Sequence, residues 1–142
     1  MKYYITKIDV AVDQLDWAIK LFLDHKAYVP AITLAGAAEE LIGETLGDDS
    51  AFRQLQGKLA KEYGLDPRMV SQAHLNKAKN WLKHWKNCKD NDCIDIEFET
   101  EAMQYIIRAI SNLVSHDRSL TSESPRFLKW LYENRKDINE GL

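Results

Sequence analysis

Apolar residues recur at spacings of three and four along most of this chain, and no stretch of useful length alternates apolar with polar. That period belongs to helices that bury one stripe, and it excludes a sheet with one wet face. From Lys7 to about His25 the stripe is Ile8, Val12, Leu15, Ile19 and Phe22. Asp13, Asp16 and Lys20 fall off it and face water. Residues 1–6 read as a loose lead-in.

Pro30 then opens a second helix, where its missing N–H is not needed. The run AITLAGAAEELIGETL is the most apolar segment, and Ala31, Ala35, Gly36, Ala38 and Gly43 leave room for a close neighbour. Each interior Gly costs about 1 kcal/mol relative to Ala, so tight packing or a ligand is expected to compensate. Gly47 stops this helix. Ser50 caps the next, AFRQLQGKLAKEY, which carries Phe52, Leu55, Leu59 and Tyr63 on one side and ends at Gly64. Asp66-Pro67 is a start signal, and the pattern continues to about Trp85, with Val70, Leu75, Ala78, Trp81, Leu82 and Trp85 as its core side. The polar segment NCKDNDCID breaks the pattern. A fifth helix to about Ser115 carries Met103, Ile106, Ile107, Ile110, Leu113 and Val114. Ser124-Pro125 opens the last, with Phe127, Trp130 and Leu131. Connections are short, so sequential helices are expected to be antiparallel neighbours. The expectation is an all-α, single-domain bundle of about five to six helices over residues 1–142.

A chain of 142 residues is long enough for one hydrophobic core. Net charge is −3, so a global basic field for nucleic acid is absent and any phosphate-binding surface must be local. No secretory leader is expected, because Asp interrupts the would-be apolar run of MKYYITKIDVAVDQL. No run approaches the roughly 18 apolar residues of a membrane span. The expected address is the cytoplasm, where Cys88 and Cys93 stay reduced.

Chemistry gathers in Ser71–Trp85, SQAHLNKAKNWLKHW, which holds two of the four His and two of the four Trp. Asn80 and His84 are four apart and share a helical face. Lys79 is adjacent, and Lys77, Lys83 and Lys86 extend a basic strip. Imidazole works as an acid or base near neutral pH. A lysine beside it can hold a phosphate, and an amide can orient a hydroxyl. Such a set suits a metal-independent ribonuclease that activates the ribose 2′-OH. The sequence KNWLKH at 79–84 resembles the R-(N/D/H)-x-x-x-H signature of HEPN domains. The resemblance implies a small helical bundle, usually dimeric, with many members acting as metal-free RNases in toxin–antitoxin or defence systems and others binding nucleotides. It assigns Asn80 to the polar position and His84 to the histidine. Lys79 stands where the family has Arg; it keeps the charge but loses the bidentate fork. The implied catalytic set is Lys79, Asn80 and His84, with no cofactor, with RNA or a nucleotide as ligand and with a second copy of the chain as partner. The competing reading is a solvated helix face on a non-catalytic module that binds a protein partner.

Other candidates are weaker in chemistry. Glu39, Glu40 and Glu44 in the second helix, with His74 or His84, contain no Glu-x-x-His pair of the di-iron kind. An interhelical Glu44–His84 contact is the plainer expectation. Asp90-x-Asp92 lacks the oxygen ligand and the Gly of a calcium loop, since Ile94 and Asp95 occupy those places. The acids from Asp90 to Glu101 suit the positive end of the fifth helix or the lysine strip. Cys88 and Cys93 with His84 fall short of four paired ligands for structural zinc. Trp81, Trp85 and Trp130 sit at core spacing, and Trp17 is a candidate partner surface.

Overall fold

The computed structural model describes residues 1–84, 91, 93–116 and 119–139, without the side chains of residues 73, 74, 138 and 139. Readings that rest on Trp85, Lys86, Cys88, Lys89, Asp90, Asp92 or the His74 side chain lie outside the described residues. The elements are α1 (Lys7–His25), α2 (Tyr28–Leu46), α3 (Ala51–Tyr63), α4 (Pro67–Val70), α5 (Lys77–Lys83), α6 (Phe98–Ser115), α7 (Ser124–Asn134) and α8 (Lys136–Asn139). A 3-10 turn, Gly47–Asp49, precedes α3, and a π turn, Ser71–Leu75, joins α4 to α5. The fold is all-α, and no strand occurs among the described residues.

Local chemistry sets the ends. Thr6 and Asp9 form a reciprocal capping box at α1. The Ser50 hydroxyl accepts from the Arg53 amide at 3.2 Å, and the Asp66 carboxylate from the Arg68 amide at 2.7 Å. Gly47 and Gly64 close α2 and α3 at φ of 56° and 62°, a region that Gly enters without strain. Lys26 takes the same left-handed turn at φ 51°, and the Ala27 amide reaches back to the Leu21 carbonyl. This two-residue corner folds α2 back onto α1. Two predicted starts shift. α2 begins at Tyr28, ahead of Pro30, because no first-turn N–H needs a helical partner. α7 begins at Ser124 itself, since the Ser124 hydroxyl is buried against that of Thr121 at 2.6 Å instead of capping.

α2 is the central element, packed along its length on α1 and on α6. Its buried face is Ala31, Ile32, Ala35, Gly36, Ala38, Glu39 and Ile42. Leu15, Ile19 and Phe22 of α1 and Met103, Ile106 and Leu113 of α6 meet it in one core. α7 docks through aromatics: the Phe22 ring lies 5.6 Å from Phe127 and 4.8 Å from Trp130. Asp16 also accepts from the Ser122 hydroxyl and the Glu123 amide, and Asp24 takes a two-pronged grip from Arg126.

The largest departure from the periodicity is the break in the segment read as one helix from Pro67 to Trp85. It yields two short α segments around a π turn, and with α8 this takes the described residues past the five or six helices expected. Asn76 sits at φ −115°, ψ 9°, and α5 ends at Lys83, leaving His84 extended at φ −120°, ψ 127°. Trp81, expected in the core, is 40% exposed, whereas Ala78 is buried and Leu82 packs on the core. The break turns α5 so that Ala78 and Leu82 face inward and Trp81 does not.

Gly36 explains its own presence. A Cβ there would meet Lys79 Cδ at 2.6 Å and Cγ at 3.1 Å, so the lysine stem lies directly over the α2 backbone. Gly36→Ala is therefore expected to lose about 1–3 kcal/mol by overpacking, more than the roughly 1 kcal/mol it gains in helix propensity. In a Lys79→Ala background the same change should become stabilising. Urea unfolding of the four proteins in this cycle checks both signs.

Candidate functional site

Tyr105, Arg108 and Asn112 lie at spacings of three and four on the buried face of α6, and they build the polar centre of the molecule. The Tyr105 hydroxyl donates to the Leu75 carbonyl at 2.9 Å and accepts from the Lys79 amide at 3.2 Å. Arg108 donates to the same carbonyl at 3.2 Å and to Glu39 Oε2 at 3.1 Å. Its guanidinium lies 4.5 Å from the centre of the Tyr105 ring. Asn112 donates to the Glu39 carbonyl at 3.1 Å and accepts from the Ala51 amide at 2.8 Å. This network ties α2, α3, α6 and the π turn together. It takes the Leu75 carbonyl and the Lys79 amide out of the helical ladder, at the break between the π turn and α5.

The network fixes where the three residues of the motif-like run go. Neighbouring residues of a helix point about 100° apart. Lys79 therefore turns inward: it is 7% exposed, its stem crosses Gly36 and its ammonium sits 3.4 Å from Glu40 Oε2. Lys83 approaches the same carboxylate at 3.9 Å. Asn80 and His84 turn outward and line one open groove with Lys77, Trp81, Cys93 and Asp95. The structure thus brings Asn80 and His84 together and separates them from Lys79, which lines a different cleft with Glu40, Glu44, Arg53 and Asn76. Lys77, Asn80 and Trp81 stand at i, i+3 and i+4, the outward stripe of α5, and His84 follows as its extended C-cap.

Two of the three α2 acids are paired with cations. Glu39 pairs with Arg108, and Glu40 with Lys79 and Lys83. Burial pushes the Glu39 carboxyl above the usual range, while Arg108 and Lys79 oppose that rise. Burial also raises the Tyr105 phenol, against the hydrogen bond from the Lys79 amide. Glu101, at the start of α6, is raised by burial and lowered by Arg108 and Lys77. Lys77 and Glu101 line one shallow cleft together with Asp95. Tyr28 donates to Glu99 at 2.6 Å, which holds its phenol up at about 12. Among the described residues no three His, Cys, Asp or Glu come together in a way that could hold a metal ion. No helix among them is long and apolar enough to cross a membrane.

Sequence reasoning passed over Tyr105, Arg108 and Asn112. The available signal was their placement: three polar side chains inside the apolar stripe of α6, at helical spacing. Compared with protein-family models, with curated proteins and with solved structures, the chain matches none.

Removing one side of the buried ion pair isolates the other. Arg108→Met is expected to cost on the order of 3–5 kcal/mol, and adding Glu39→Leu should recover most of it. The single variant also carries a pH signature. Without Arg108, Glu39 is raised further above its unfolded value, so folding favours the protonated acid. Stability relative to wild type then improves as pH falls through the raised value and worsens as pH rises through it. Denaturant curves at mildly acidic and mildly basic pH read this difference.

Proposed function

We propose that this chain is a HEPN-like helical domain that acts as a metal-independent ribonuclease, in a toxin–antitoxin or defence setting in the cytoplasm. The carrying observation is that Asn80 and His84 open onto one groove with Lys77 on its edge. In this reading the His84 imidazole takes the proton of a ribose 2′-OH. The freed oxygen attacks the adjacent phosphorus, and the 5′-oxygen departs with a proton from the imidazolium or from water. The products are a 2′,3′-cyclic phosphate and a 5′-hydroxyl, and no metal enters the step. Asn80 orients the ribose or a phosphate oxygen. Lys77, not Lys79, stands where a phosphate in the groove would be held. The reading includes a homodimer, in which a second copy completes the open side of the groove.

A second reading has a specific observation behind it. The Lys79 side chain, with the ammonium expected to grip phosphate, is buried and paired with Glu40. On that reading the chain is a non-catalytic module for a protein partner.

The two separate in one assay. The proposal expects metal-free cleavage of RNA in EDTA, cyclic-phosphate ends, and a loss of about 10²-fold or more in His84→Ala. Asn80→Ala should lose less, and Lys77→Ala should weaken substrate binding. A wild-type protein that leaves varied RNAs intact, or a His84→Ala variant of equal activity, would refute the enzyme. Light scattering reads the mass of the particle alongside.

A further inference from the structure

Trp81 is out of place as a core residue. It carries the largest side chain on α5, follows the buried Lys79 by two positions and is still 40% exposed. Leaving so much apolar surface in water forgoes the burial that ordinarily recovers it. The buried positions of α5 are taken by Ala78 and Lys79, and Leu82 packs on the core. Trp81 instead lines the groove, together with Asn80, His84, Cys93 and Asp95. Lys77 lies one turn before it on the same face.

An aromatic ring next to a lysine, an amide and an imidazole fits one ligand chemistry well. The ring takes the face of a nucleobase, and the lysine takes the phosphate that follows. A base can reach such a ring only if it has left its own stack. A duplex offers the ring no free base face, and the chain's net charge of −3 supplies no general attraction for a duplex backbone. Stacking on protein aromatics is how unpaired strands are held with little regard to sequence.

We propose that Trp81 is the base-stacking platform of this groove and that the ligand is single-stranded RNA with an unpaired base beside the reacting phosphate. The inference rests on the ribonuclease reading for the identity of the groove, but its test is binding and not cleavage. Lys77 contributes charge, and Trp81 contributes strand selectivity.

The experiment uses the full chain in EDTA with a fluorescein-labelled RNA of about 12 nucleotides, either single-stranded or annealed to its complement. Anisotropy is measured for the His84→Ala protein alone and with Trp81→Ala, Trp81→Leu or Trp81→Phe added. The expected result is that the single strand binds at least about 10-fold more tightly than the duplex. Trp81→Ala and Trp81→Leu should lose on the order of 10-fold for the single strand, and Trp81→Phe should stay within about 3-fold. Trp81→Leu keeps apolar bulk without a π face, so it decides the matter if Trp81→Ala does not fold. Equal affinity for both RNAs, binding unaffected by Trp81→Leu, or no binding of either RNA would each overturn the proposal. Selective, Trp81-dependent binding by a wild-type protein that cleaves nothing would uphold the platform and refute the nuclease.

Discussion

The geometry of this molecule turns on one carbonyl. Leu75 would, in an unbroken helix, give its oxygen to the amide four residues on. Here the Tyr105 hydroxyl and the Arg108 guanidinium take it instead. Arg108 is in turn held by Glu39, and the Glu39 backbone by Asn112, whose other end caps into the start of α3. A buried ion pair of this kind is poor evidence for stability, because taking both charges out of water costs about as much as their attraction returns. Among the described residues, Arg108 Nε makes no hydrogen bond. What the network does supply is a single position for the chain between α4 and α5.

That position decides what α5 presents. A helix of seven residues has almost no stability of its own. Its direction comes from outside: Ala78 and Leu82 in the core, the Lys79 amide on Tyr105, and the Lys79 stem in the notch that Gly36 leaves. With those positions turned inward, Lys77, Asn80, Trp81 and His84 are turned outward together. The run KNWLKH is therefore split across two faces. Its first lysine, Lys79, packs inward, and its amide and imidazole line the groove.

The sequence was readable where structure is local. The α1 stripe, the caps at Ser50 and Asp66, the glycine stops at 47 and 64 and the apolar character of α2 all follow from spacing and side-chain chemistry. The i, i+4 relation of Asn80 and His84 was equally legible. The break between the π turn and α5 was not, because residues some thirty positions away hold the Leu75 carbonyl, and no window along 67–85 contains them. Trp81 stands at core spacing, where an aromatic is ordinarily buried. The rotation that exposes it is a consequence of the same remote hydrogen bonds. Glu39 is the converse case: an acid in an apolar helix, legible as unusual, whose partner on α6 only the fold reveals.

These observations share one physical logic. The interior of a small bundle is the expensive place for Glu39, Arg108, Tyr105 and Asn112, and apolar residues of like volume would fill it at lower cost. An apolar filling would leave the Leu75 carbonyl and the Lys79 amide without the α6 side chains that now hold them. The start of α5 would lose one of the contacts that turn Ala78 and Leu82 inward and Trp81 outward. The polar interior and the exposed tryptophan are thus two ends of one arrangement. Free energy that the buried charges withhold from stability appears as the fixed orientation of a short helix, and that orientation gives the groove its aromatic wall.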